Sequence, residues 1–389
     1  MSRLRLALLM TILGLGGCLS EPPVARVSVS ANPGSAHPLG GNPVSGNPVT
    51  RNTFTSVRGY SLIETLLPEY VGDRADWARD IEAAFAALEL TADRERVCAV
   101  IAVIEQESSF QVDPVIPNLG AIASHEIEKR AHSEGVPLML VRTALELKSS
   151  DGHSFDARIR AARTERDLSD VYEDFIGQVP LGEHLFAGWN PIRTRGPMQV
   201  NVAFAARFAA TRSYPYPVKT RLEDELFTRR GSLYFGVAHL LAYDAPYDSY
   251  LYRFADYNAG QYASRNAAFQ RALALATGRS LTADGALLPR DRKVAGTTEA
   301  ALLSLSERLR LGAAEIHQAL DSGDSERFEQ TPVYGRVLTL AEQRAGHPLP
   351  RARVPDIRLT GPKITRALTT RWYAKRVYAR FQRCEHPPE

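Results

Sequence analysis

The sequence predicts a mainly α-helical protein, on three observations. Helix-period segments recur along most of the chain, alternating strand patterns are scarce, and one helix pattern holds eight unbroken apolar or small residues, VCAVIAVI at 97–104. The first clear helical stretch is DWARDIEAAFAALEL (76–90), with ordered structure expected from near Tyr60. Thr91 suits the N-cap of the next helix, with Asp93 in its first turn. That helix carries VCAVIAVI and ends on EQESSF (105–110), so an apolar helix closes on Glu105 and Glu107. Further helical patterns occupy about 124–176, 202–212, 220–245, 262–277, 298–321, 325–345 and 362–383.

The ends of the chain read differently. Arg3 and Arg5 precede an apolar stretch, Leu6 to Leu15, that is short for a membrane span. It closes on Leu15-Gly16-Gly17-Cys18, which resembles the lipobox of bacterial lipoproteins. The resemblance implies a signal peptide over 1–17 and acylation of Cys18, with chains such as palmitate giving stable anchoring. Leu19 and Ser20 bring no aspartate after the cysteine, which resembles sorting to the outer membrane with the body facing the periplasm. Residues 18–56, rich in Pro, Gly, Ser and Asn and with GNPV at 41–44 and 46–49, read as a flexible tether.

Without Arg3 and Arg5 the chain holds 45 basic against 44 acidic side chains, and nothing in that balance points to nucleic acid. Cys98 and Cys384 remain once Cys18 is lipidated. They could pair in an oxidising periplasm, although a cysteine inside an apolar run is more often a packed free thiol. From Arg351 to Arg383 there are ten basic residues and one acidic residue, Asp356. A solvated basic helix face is expected there, with Trp372, Tyr373, Val377 and Phe381 as its buried side; attraction to an anionic polymer or lipid headgroups is the alternative.

Three short segments carry the chemistry: ESSF at 107–110, GPMQ at 196–199 and DYNAG at 256–260. They resemble, in order, the ESxF, GLMQ and AYNAG motifs of the soluble lytic murein transglycosylases, relatives of goose-type lysozyme. The resemblance spans roughly 94–275 and implies a lysozyme-like helical catalytic domain. It also implies cleavage of the MurNAc-β-1,4-GlcNAc bond of peptidoglycan strands with a 1,6-anhydro product, one glutamate serving as acid and then base, and no metal or cofactor. The physical reading agrees, because glycoside cleavage needs a carboxylic acid still protonated near neutral pH. Burial and the negative end of a helix dipole both favour that state, and Glu107 closes a buried helix.

By position, the resemblance makes Glu107 catalytic and gives supporting roles to the rest. Ser108 would hydrogen-bond the acid or a substrate group, and Met198 would form an apolar wall. Gln199 would touch sugar, Tyr257 would reach Glu107 with its hydroxyl, and Asn258 would order the loop backbone. Phe110 is expected to pack, and Glu105 to face solvent or an ion-pair partner. Asp256 is expected as a surface or capping residue; facing the cleft, it could activate water for hydrolysis.

Two departures favour a different class, a peptidoglycan-binding or envelope-assembly lipoprotein without turnover. Residues 111–195 form a helical insertion between the first two motifs, and Pro197 replaces the usual Leu. The retained Glu107, Gln199, Tyr257 and Asn258 favour the enzyme. The expected organisation is N-terminal helices and catalytic helix at 57–110, insertion at 111–195, the remaining core at 196–278 and a helical extension at 279–389. TPVYGRVL (331–338) and TTRWYAKRV (369–377) resemble the closing helices of that fold too loosely to add weight. HEIEK (125–129) nearly spells a zinc-protease HExxH, but Lys129 takes the second ligand position and His132 lies about two turns from His125.

Overall fold

The computed structural model describes residues 53–178, 190–289, 296–361, 364 and 366–387, and these are mainly α-helical. Residues 1–52, which include the segment read as a signal peptide, Cys18 and most of the segment read as a tether, lie outside the described residues. The chain runs α1 (Thr53–Leu66), α2 (Arg74–Ala87), α3 (Arg94–Glu107), α4 (Leu119–Ser133), α5 (Leu138–Leu145), α6 (Phe155–Ala161) and α7 (Glu165–Gln178). A short hairpin follows, β1 (Thr194–Arg195) and β2 (Val200–Asn201), then α8 (Val202–Thr211), α9 (Leu222–Glu225), α10 (Arg229–Leu241), α11 (Tyr250–Ala259) and α12 (Ala263–Thr277). The C-terminal part is α13 (Thr297–Leu303), α14 (Ser306–Leu309), α15 (Ala313–Asp321), a 3-10 turn (Glu326–Gln330), α16 (Pro332–Ala345) and α17 (Thr370–Glu385). Among the described residues no helix is long and apolar enough to cross a membrane.

Three apolar cores organise these elements. The main one surrounds α3, in which every residue from Val97 to Ile104 is buried. A helix apolar on all sides needs neighbours on all sides, and α1, α10 and α17 supply them. Its N-cap is Asp93 rather than Thr91: the Asp93 carboxylate accepts the Arg96 N–H at 2.8 Å and also binds the Arg96 guanidinium, so the helix starts later than Thr91 suggests. Helix also begins earlier than expected, at Thr53, inside the segment read as tether.

Helix α17 closes the core. Tyr373, Ala374, Val377 and Phe381 face inward at helical spacing, and Phe381 stacks on Tyr250 at 5.0 Å. Trp372 departs from expectation: one residue off that stripe, it is 39% exposed and lies beneath the Arg376 guanidinium. Cys98 and Cys384 form a disulfide with their Cα atoms 5.5 Å apart, so Cys98 is not the free thiol its apolar surroundings suggest. The bond staples the end of α17 to the first turns of α3.

The insertion has its own small core of Leu119, Phe155, Ile159, Leu168 and Val171. The continuous helical pattern of 124–176 is broken by Pro137 and by a turn around Gly152. Gly120 lets α4 approach α6 closely, since a Cβ there would fall 2.5 Å from the Arg160 carbonyl. The third core joins α12, α13, α15 and α16 through Phe269, Leu302, Ile316, Phe328 and Val337. Buried Arg265 crosses between cores, donating to the carbonyls of Gly323 (2.6 Å) and Ser325 (2.8 Å).

Candidate active site

The last turn of α3 makes three consecutive contacts with α17. Glu105 pairs with Arg380 (3.4 Å) and Arg383 (3.6 Å), Gln106 Oε1 accepts from Arg376 Nε (3.1 Å), and Glu107 Oε1 accepts the Tyr373 hydroxyl. Glu105 is therefore the ion-paired residue and Glu107 the carboxyl turned toward the protein. Glu107 retains partial exposure as a residue, but its carboxyl is densely surrounded. Burial is the main cause that raises its pKa from 4.5 to about 7; the Tyr373 hydroxyl pulls downward, and the charge of Glu165 pushes up. Its place at a helix C-terminus adds to the preference for the neutral acid.

Backbone geometry around this carboxyl is strained at three non-glycine positions. Ser109 (φ 50°) and Phe110 (φ 63°) both take the left-handed conformation directly after the helix. The reversal carries Phe110 against Trp77, edge to face at 5.2 Å, so Phe110 packs as expected. Gln199 (φ 49°) is the third, at the end of the β1–β2 turn, where its N–H closes onto the Gly196 carbonyl at 2.9 Å. Left-handed conformations cost a non-glycine residue on the order of 1 kcal/mol each.

The GPMQ turn is fixed from below. Met198 is fully buried, its N–H donating to Ser232 Oγ (3.0 Å) and its side chain lying where a Cβ on Gly236 would be. It thus packs beneath the site and does not wall an open cleft. The Tyr257 hydroxyl donates to the Met198 carbonyl at 2.6 Å. Tyr257 lies near enough to Glu107 for the acid's charge to raise its pKa, behind burial as the main cause, but its hydroxyl is engaged elsewhere. The residue that reaches Glu107 is Tyr373, from the loosely matching TTRWYAKRV segment.

Other expectations divide similarly. The Ser108 hydroxyl donates to the Ile104 carbonyl (3.2 Å), as helix-end serines do, rather than to the acid. DYNAG forms the end of α11 instead of a loop, and Asn258 Oδ1 accepts the Thr370 hydroxyl (2.8 Å), anchoring the first turn of α17. Asp256 is fully buried, not a surface residue, and takes hydrogen bonds from Tyr243 (3.1 Å), Tyr247 (2.7 Å), Tyr262 N–H (3.0 Å) and Ser264 N–H (2.6 Å). Those bonds cap α12 and leave it no role in activating water. The Gln199 amide is held at both ends: Oε1 accepts from Thr194 (2.8 Å), and Nε2 donates to Glu165 Oε2 (2.8 Å) and, more weakly, to the Gly196 carbonyl (3.3 Å).

Glu165, from the insertion, adds a second acidic residue beside Glu107 that no motif in the sequence singles out. Nothing local marks it, since its partners lie in the hairpin and α3. His125 and Lys129 sit on α4, away from these contacts, with Lys129 beside Glu126 (3.5 Å). Among the described residues no group of three or more His, Cys, Asp or Glu is arranged to hold a metal ion. A broad concavity of about 910 Å³ is lined by Tyr243, Gln261, Glu315 and Arg327 among others, none of them part of the Glu107 cluster.

Residues 70–386 match the family described as "Protein of unknown function (DUF1615)", and the chain belongs to that family. The chain is 47% identical over 324 residues to "Uncharacterized protein YaiW" of Escherichia coli (strain K12), an alignment covering 83% of this chain and 88% of that protein. No solved structure matches.

Proposed function

We propose that this protein is a peptidoglycan lytic transglycosylase on a lysozyme-like helical core, tethered through acylated Cys18 to the outer membrane and facing the periplasm. The observation that supports it best is Glu107, a carboxyl at the end of a buried helix whose pKa is raised to about 7. A group poised there can both give and take a proton near neutrality. In this reading Glu107 protonates the glycosidic oxygen as the MurNAc–GlcNAc bond breaks. The substrate's own N-acetyl group assists at C1. Glu107, now a carboxylate, then takes the proton of the MurNAc 6-hydroxyl as that oxygen attacks C1, leaving a 1,6-anhydro end and restoring the acid. The Tyr373 hydroxyl fixes the carboxyl's orientation throughout, and the Tyr257–Met198 bond holds the turn that carries Gln199.

The test is direct. Full-length protein in detergent is incubated with purified murein sacculi, and released muropeptides are analysed by mass spectrometry beside Glu107→Gln. Anhydro-muropeptides from the parent that vanish in the variant are the expected result. Reducing ends would mean hydrolysis, with Glu165 rather than Asp256 as the group to examine. Sacculi that bind the protein but release nothing would replace the enzyme with the non-catalytic binder.

A further inference from the structure

Three features single out Glu165. It is a nearly fully buried acidic residue, 8% exposed, while Asp167 and Asp170 beside it on α7 are exposed. It opens α7, where the unpaired N–H groups of a first turn favour negative charge. The N-terminus itself is capped by Thr164, whose Oγ1 accepts the Asp167 N–H (3.2 Å), while the Asp167 carboxylate accepts from the N–H groups of Arg163 (2.8 Å) and Thr164 (2.9 Å), so Glu165 is not needed there. Its carboxylate instead leaves the insertion altogether and accepts from Gln199 in the hairpin.

The element that carries Glu165 is fastened at two points, both C-terminal to it. Arg166 donates to the Phe227 carbonyl (2.6 Å) and lies over the Phe227 ring, while Glu173 further along α7 pairs with Arg221 (2.6 Å). The insertion is thus docked so as to deliver one carboxylate to the Gln199 turn. We propose that Glu165 is a positioning residue of the Glu107 site, holding the Gln199 amide and presenting a fixed negative charge to the Glu107 carboxyl.

Two carboxyls then sit at opposite poles, Glu165 at a helix N-terminus and Glu107 at a helix C-terminus. A neighbouring carboxylate and a helix C-terminus both favour the neutral form of Glu107, the form that can donate a proton to a glycosidic oxygen. The other groups facing Glu107 do not supply that charge. From α17 there is the Tyr373 hydroxyl, with Arg380 acting on it; from α11 there is Tyr257, backed by the buried His239 ring at 4.9 Å. On its own helix Glu105 is occupied by Arg380 and Arg383. The inference rests on Glu107 being the acid, and goes beyond it by assigning the insertion a part in the site.

The experiment uses the full-length protein in a Glu165→Gln background, where the glutamine oxygen still accepts from Gln199. Glu165→Asp keeps the charge, and Glu128→Gln removes an exposed insertion charge as a control. In each background the Glu107 titration is read from the pH dependence of the unfolding stability with and without Glu107→Gln. The midpoint is expected to fall by roughly 0.5–1 pH unit in Glu165→Gln, to recover at least half of that in Glu165→Asp, and to stay put in Glu128→Gln. The pH profile of muropeptide release should move with it. An unchanged midpoint in Glu165→Gln overturns the inference. A parent protein that releases no muropeptides defeats the enzymatic reading instead, and leaves the stability titration able to report on Glu165.

Discussion

Holding a carboxyl where Glu107 sits costs folding free energy, and the cost can be measured without any substrate. The group titrates at about 7 in the folded protein against an ordinary 4.5. The folded state therefore binds that proton more tightly than the unfolded chain does. The stability it contributes is complete below about pH 4.5 and is lost as pH rises through about 7. Above that window both states are ionised, and the loss has reached roughly 3 kcal/mol. Glu107→Gln keeps the size and an oxygen for the Tyr373 hydroxyl but cannot ionise. The variant should exceed the parent by roughly 3 kcal/mol at pH 8.5 and by under about 1 kcal/mol at pH 5. Urea unfolding followed by circular dichroism at the two pH values measures both gaps. Equal gaps, or a parent more stable than the variant at pH 8.5, would refute the claim that burial holds this carboxyl protonated.

Other outcomes follow from neighbouring contacts. Tyr373→Phe removes the hydroxyl that pulls the Glu107 pKa down, so the alkaline limb of the pH–rate profile should move upward, opposite to Glu165→Gln; a downward move would show that the hydrogen bond favours the neutral acid. Asp256→Asn places an NH₂ among four donors and should lose about 2–4 kcal/mol of stability, while the ratio of anhydro to reducing ends stays as in the parent. Replacing Cys98 and Cys384 together by Ser opens a link across 286 residues and should cost about 3–5 kcal/mol in denaturant unfolding; a loss under about 1 kcal/mol would show that packing alone holds α17.

Much of the helical layout was legible because burial imposes a period. The run VCAVIAVI had to be a fully enclosed helix, and Glu107 followed as the carboxyl at its end. Thr91 misled because two good capping residues stood close together, and side-chain geometry chose Asp93. Trp372 misled because a helix stripe one residue wide admits Tyr373 and excludes its neighbour. The site was half visible. Residues that meet within a turn, such as Met198 and Gln199, sat in a readable motif. Tyr373 lies 266 positions from Glu107 and Glu165 lies in another segment, so no local pattern announces either contact. Tyr257 shows the converse limit: the motif placed it near the acid, but hydrogen bonding to the Met198 carbonyl decided where its hydroxyl points.

The distance in sequence between Glu107 and Tyr373 gives the molecule a schedule. No nascent chain that stops short of Tyr373 can present the acid in its finished setting, because the hydroxyl that orients it lies 266 residues further on. Covalent closure comes later still, since Cys384 lies beyond that tyrosine and its sulfur bonds only under oxidising conditions. Until α17 has been made, the cluster around Glu107 is unassembled. Its completion awaits the arrival of α17.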